Sequence, residues 1–352
     1  QYPPQLQMRY IKKQANDCVH CRLNFDMNRS DNRKLISIGV MFAIGTTLVI
    51  ALTADRLLTF DIVGPTIPFA YPWRLVEYSA LAQVSAWTGY ALHNLLVWLI
   101  IYFARRAKSS FQTEFKWYNW AMLAVNSSFI GLHILQTHLF YDGLAQDVPE
   151  ITALASVALM LMIVLILEAP RRGLAFGKRV RFDRKFMKIV REYHGYFFSW
   201  AIIYTFWYHP AESTIGHLAG FFYMFMLFWQ SILIFNRTHI NRWWTITLET
   251  LVIPHGVLVA ITQPANMWRM FGFGFAAIFI ITQMHGLNLS YRLRTLMVTI
   301  FIISVLIAYS MGNQLHMLHE VVRIPIIEYG VVALLYGMFL IGSKLISQKT
   351  PD

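Results

Sequence analysis

The chain has 352 residues, 57% of them hydrophobic and 14% charged, against a charged share of about 25% in an ordinary soluble domain. Lys and Arg outnumber Asp and Glu by 30 to 18, but the excess is confined to the segments between apolar runs. That placement excludes a nucleic-acid-binding surface and a soluble globular fold, and it names the lipid bilayer as the first partner.

Apolar runs of about 20 residues, enough to cross a hydrocarbon core of ~30 Å, recur about ten times. They cover roughly 35–53, 76–103, 117–140, 151–168, 193–208, 214–235, 243–261, 268–287, 293–312 and 324–341. The expected fold is an all-α polytopic integral membrane protein of about ten transmembrane helices. Its parts are a cytoplasmic arm over 1–34, a ten-helix domain over 35–346 and a short cytoplasmic tail over 347–352. With the arm inside, every Lys and Arg except Arg56, Arg74, Arg269 and Arg323 falls on the cytoplasmic side, as the positive-inside rule requires. Both termini are then cytoplasmic, and a bacterial inner membrane is the expected location. The first 34 residues are polar and basic with no cleavable signal, so the first span is expected to act as its own insertion signal.

The arm holds both cysteines of the chain, as Cys18-Val19-His20-Cys21. Two residues between thiols let both point at one centre, so the pair is half a zinc site or a dithiol. Thioether attachment of haem would need His directly after Cys21, where Arg22 stands. The loop after span 1 is long, aromatic and proline-rich, and is expected to lie on the membrane face or to cover a site.

Span 2 carries His93-Asn94, and span 3 carries Asn126, His133, Gln136 and His138. Polar groups cannot face lipid cheaply, so these faces should point into the bundle. Span 4 has no charged residue before Glu168 at its end and is expected to be peripheral and lipid-facing. The loop that follows is the most basic part of the chain, with nine Lys and Arg between Arg171 and Arg191. It suits anionic lipid headgroups, and with the N-terminal arm it is a candidate contact surface for other membrane subunits.

Five of the twelve histidines lie between His194 and His255, across spans 5 to 7. His194 and His209 are separated by about 22 Å along one helix and lie about 60° apart around it. Pro210 ends that helix, and His217 opens the next, so a tight hairpin should bring His209 and His217 together. Glu249 is an intramembrane acid in the inner half of span 7, and Pro254 should kink that span beside His255. The glycines of span 8 permit close helix contact, and His194, His255 and His285 are each followed by Gly. His316 and His319 share one face if the helix of span 9 continues through them, and span 10 carries Glu328.

Sorted by depth, seven histidines fall in the outer half, among them His209, His217, His255, His316 and His319. Imidazoles in that number suit a transition metal, iron or copper, with His209, His217, His316 and His319 as ligands. A single haem b held by His93 and His255 is the other form of that site. The paired histidine helices of a two-haem bundle are absent, and so are the HxxxH and HxxHH boxes of membrane desaturases. The leading expectation is a metal- or haem-binding electron-transfer protein with its site toward the outer side. A proton-coupled transporter or channel is the alternative, since His and Glu titrate within the bilayer, although no internal repeat is visible. A non-catalytic subunit of a larger membrane complex is the third reading. No spacing marks a catalytic set.

Overall fold

In hydrocarbon a chain must satisfy its own backbone, and each apolar run accordingly folds as a helix. The computed structural model describes residues 32–64, 71–107, 109–262, 267–311 and 313–349. The Cys18–Cys21 pair and all of the arm before residue 32 lie outside them, as does the end of the short tail.

Among the described residues the chain is largely helical with no sheet; the loops between helices hold three isolated backbone bridges. Helix α1 covers 32–53. There follow α2 (Ala80–Arg106), α3 (Trp117–Phe140), α4 (Glu150–Arg172), α5 (Arg184–Tyr208) and α6 (Ile215–Ile232). Then come α7 (Arg242–Thr250), α8 (Val252–Thr262), α9 (Trp268–Ile281), α10 (Tyr291–Met311) and α11 (Arg323–Lys349). Short polar side chains open several of them: Ser79, Asp183, Thr214 and Asn241 each accept backbone N–H groups of the first turn, which otherwise have no partner.

Seven described segments are long and apolar enough to cross a membrane: α1 with its 3-10 extension, α2, α4, α6, α7 with α8, α10, and α11 with the turn before it. The protein is thus an all-α, multi-pass membrane protein. Helices α3 and α5 have the length but interleave polar or charged residues, and α9 has only 14 residues.

The connections meet in two groups. At one end Leu75 N–H donates to Asp142 Oδ2 (3.1 Å), Tyr141 OH to Glu212 Oε1 (2.6 Å) and Ala211 N–H to Thr137 Oγ1 (3.1 Å), joining the loops after α1, α3 and α5. At the other, Thr238 Oγ1 donates to Asn32 Oδ1 (2.7 Å) and Gln112 N–H to Phe235 O (2.9 Å). There too Phe176 N–H donates to Ile281 O (2.7 Å), so the loops after α4 and α9 share an end. We call these the acidic-loop and basic-loop ends.

The largest core joins α1, α2, α3, α5 and α6 around Phe206, Trp207, Phe221, Phe225 and Phe228. Small residues set its helix spacing: a Cβ on Gly89 would lie 2.1 Å from the Trp207 ring, and one on Gly39 would lie 2.2 Å from Trp229. A second core joins α4, α5, α9 and α11.

Two local expectations are corrected. Helix α4 is not peripheral, because Ala153, Ser156, Leu161, Met162, Leu165, Ile166, Ala169 and Arg172 form a buried face against α5 and α11. In the span holding Pro254, the helix is interrupted for one residue at Leu251, between α7 and α8. Pro254 has no N–H for the Thr250 carbonyl and its ring crowds it, so the fault appears one turn earlier. The helix of span 9 stops at Met311, and His316 and His319 lie in a 3-10 segment, Leu315–Val322.

Candidate functional site

Two polar groupings lie inside the bundle. The first is built where α4 ends. Gly173 takes φ 81 and donates its N–H to Ala169 O, which closes α4 with Arg172 as its last residue. The stem of Arg172 rests on the 3-10 segment Gln283–Leu287, where a Cβ on Gly286 would stand 3.2 Å from Arg172 Cβ. Its guanidinium turns inward to α7, whose buried face carries Trp244, Ile246, Leu248 and Glu249.

Arg172 Nη1 donates to Glu249 Oε2 at 2.6 Å, with the side chains 0% and 6% exposed. Such a pair is held only if its partners stay matched, because an unmatched charge in a low dielectric is costly. The remaining polar atoms are not matched: Arg172 Nε and Nη2 and Glu249 Oε1 are buried without a hydrogen-bond partner. Gln283 Oε1 and Glu328 Oε2 are buried and unpartnered as well. Tyr329 lies within electrostatic range of Arg172, its hydroxyl 2.5 Å from Thr282 Oγ1, and Tyr223 lies within range of Glu249. The break at Leu251 lies two residues beyond Glu249. This grouping can hold charge, exchange a proton and accept a polar guest.

The second grouping lies toward the acidic-loop end and contains His133, His209, His217 and His255. The hairpin brings His209 and His217 together, their ring centroids 5.9 Å apart. His217 is engaged at both nitrogens, Nε2 at 2.8 Å from Tyr71 OH and Nδ1 at 2.7 Å from Thr214 Oγ1. His209 Nδ1 donates to Thr205 O, and His133 Nε2 donates to His209 O. His255 sits on Gly220, one turn along α6 from His217, where a Cβ would meet its Cε1 at 2.8 Å, and its buried Nδ1 has no partner.

His316 and His319 are placed elsewhere, on the 3-10 segment that packs against α9, α10 and α11. His319 Nε2 accepts from Arg323 Nη2 at 2.7 Å, and Nδ1 donates to His316 O. Among the described residues no three His, Cys, Asp or Glu side chains gather in a way that could hold a metal ion. His93 is enclosed: its ring stacks on Phe129 at 4.6 Å and on Phe228 at 5.5 Å. Trp207 Nε1 donates to its Nδ1, and Nε2 donates to Asn126 Oδ1, whose amide donates onward to Ser231 Oγ. Both ring nitrogens are thereby used, and a haem iron would find no lone pair there.

Asp142 closes the acidic-loop end. It is fully buried, and burial lifts its carboxyl from the usual range to about 6, opposed by the N–H groups of Leu75 and Gly143 and by Arg74.

The sequence pointed to Glu249 but not to its partner. Arg172 stands in a run of positive residues after an apolar span, where it reads as one more loop charge. Pro170, near the end of α4, is the one local sign that the helix stops just past the arginine. Compared with protein-family models, with curated proteins and with solved structures, the chain matches none.

Proposed function

We propose that the chain is a proton-coupled membrane transporter whose working groups are Arg172 and Glu249. The observation that carries this reading is a buried, incompletely bonded ion pair one turn before Pro254, in a span whose Thr250 carbonyl has no helical N–H partner from the proline. A broken membrane helix frees backbone groups that are tolerated where they line a cavity or ligand path. An ionisable pair inside the bundle is costly unless used, and a carboxylate beside a guanidinium can exchange a proton for a change of partner.

We propose further that the chain crosses the bilayer ten times, each expected span taken by one of the helices α1 to α6 and α9 to α11 or by α7 with α8. Residues 32 and 349 then face the cytoplasm, in a membrane such as the bacterial inner membrane. The pairing of loops after α1, α3 and α5 at one end, and of Asn32 with the loops after α2 and α6 at the other, supports that alternation.

An iron, copper or haem b redox role is the second reading, supported by the approach of His209 and His217. It asks for displacement of Tyr71 or Thr214 before His217 could ligate, since both of its nitrogens are occupied.

The test is proton flux. Purified protein in liposomes with an entrapped pH dye is expected to dissipate an imposed gradient when a panel of organic acids, amino acids and sugars is supplied. Glu249→Gln is expected to abolish that flux. Wild-type flux equal to that of empty vesicles across the panel overturns the transporter.

A further inference from the structure

The guanidinium of Arg172 has two hydrogen-bonding edges, and only one is in use. Nη1 serves Glu249, whereas Nε and Nη2 are buried without a partner. These two atoms make the side-on fork of an arginine, whose parallel N–H groups match the two oxygens of a carboxylate. A buried donor without a partner costs about 1–3 kcal/mol. Here two such donors sit side by side on a charged group whose side chain is 0% exposed. Among the described residues Arg171 is paired with Glu168, the Gly286 carbonyl is reached by Arg171 at 3.5 Å, and the buried acceptors Gln283 Oε1 and Glu328 Oε2 make no hydrogen bond to the fork.

We infer that the free fork of Arg172 binds the carboxylate of a small organic monocarboxylate, and that one proton enters with it onto Glu249. This rests on the transporter reading and supplies its substrate class. The charge arithmetic fixes the stoichiometry. Arg172 and Glu249 together are neutral, a bound carboxylate makes the set negative by one, and one proton taken from water onto the unpartnered Oε1 of Glu249 restores neutrality. A net charge sealed in the bundle is far more costly than a neutral set. The proton therefore follows the anion.

The same arithmetic selects against dicarboxylates. The groups facing Glu249 are Arg172, Arg171 and Glu168 of α4 and Tyr223 of α6; Tyr329 of α11 faces Arg172. Arg171 is already taken by Glu168, so among the described residues that act electrostatically on Glu249 no second free cation awaits a second carboxylate.

The test measures binding without transport. The thermal midpoint of the full-length protein in detergent is recorded with benzoate, methyl benzoate, succinate and inorganic phosphate, at pH values where benzoate stays ionised. Benzoate is expected to raise the midpoint in a concentration-dependent manner, more strongly as pH falls, while methyl benzoate and succinate leave it unchanged. Arg172→Lys keeps the charge but loses the fork, and is expected to weaken benzoate by roughly tenfold or more. Glu249→Gln mimics the protonated carboxyl and is expected to bind benzoate with no dependence on pH. Stabilisation by methyl benzoate equal to that by benzoate, or by phosphate in place of benzoate, overturns the inference even if the lysine variant fails to fold. Proton flux with no benzoate effect overturns the substrate class alone. Benzoate binding with no flux leaves the site and removes the transporter.

Discussion

Arg172 and Glu249, 77 residues apart in the chain, meet at 2.6 Å inside the bundle with neither side chain more than 6% exposed. Removing either partner strands the other as a buried charge. Arg172→Met and Glu249→Leu are each expected to lower stability by about 3–5 kcal/mol. The double variant, which removes both charges, should recover most of that loss. Thermal unfolding in detergent reads all three proteins, and a double variant that loses the sum of the two single effects would show that the pair is not coupled.

Tyr71 holds His217 from the loop after α1, and the same contact bears on the redox reading. Because His93 and His217 have no ring nitrogen to spare, purified wild-type protein is expected to show no Soret band and no stoichiometric iron or copper. Visible spectroscopy and elemental analysis decide the matter. Metal or haem present at one per chain, and lost together in His217→Ala, would favour the redox protein over the transporter.

The Asp142 carboxyl gives the acidic-loop end a pH dependence of predictable sign. Its pKa is raised to about 6 in the folded protein, first by burial, against about 3.9 in an unfolded chain. Between those values the folded state holds a proton that the unfolded state has released. Stability is then greatest below about pH 4 and falls as pH rises through about 6, by on the order of 2 kcal/mol for this one group. Asp142→Asn should flatten the midpoint-against-pH curve in that window. A variant whose curve keeps the wild-type slope would assign the effect to another group.

The proposed ten-span arrangement would place the loop after α4 and the turn after α5 on opposite sides of the membrane. Single cysteines at Lys178 and Ser213, in a background with Cys18 and Cys21 replaced by Ser, are expected to react with an impermeant thiol reagent from opposite faces of intact membranes. Labelling of both from one face would contradict the alternation.

A packing prediction separates close contact from local strain. A Cβ on Gly143 would lie 2.4 Å from the Trp207 carbonyl oxygen and 3.0 Å from that of Tyr208. Backbone cannot swing aside as a side chain can, so Gly143→Ala is expected to cost about 1–3 kcal/mol by overpacking. Gly131→Ala on α3, where nothing stands within 4 Å of the added methyl, should lose no stability. Unfolding midpoints of the two variants in one detergent compare them directly, and equal midpoints would contradict the close approach.

Much of the architecture was legible because lipid imposes one rule on every span. Each apolar run of the sequence became helix, Pro210 and Thr214 made the hairpin that joins His209 to His217, and Glu249 turned inward. What hydropathy could not tell was which side of an apolar helix meets protein. Helix α4 shows the difficulty, since Leu165 and Ile166 suit lipid and core equally, and only neighbouring helices distinguish the two. Depth alone likewise suggested that His316 and His319 join His209 and His217, but residues at one level of a bundle can lie on different sides of it, and these do.

By itself the sequence determined an α-helical membrane protein, the distribution of its charges between loops, and an acid that had to be sheltered. The first and the last follow from local physics: backbone groups must be bonded where there is no water, and a carboxyl in hydrocarbon must find company. The tertiary structure alone decided what that company is. Arg172 reads as a loop cation until α4 is seen to continue through Pro170 and set it against α7, where partner choice depends on contacts between residues far apart in the chain.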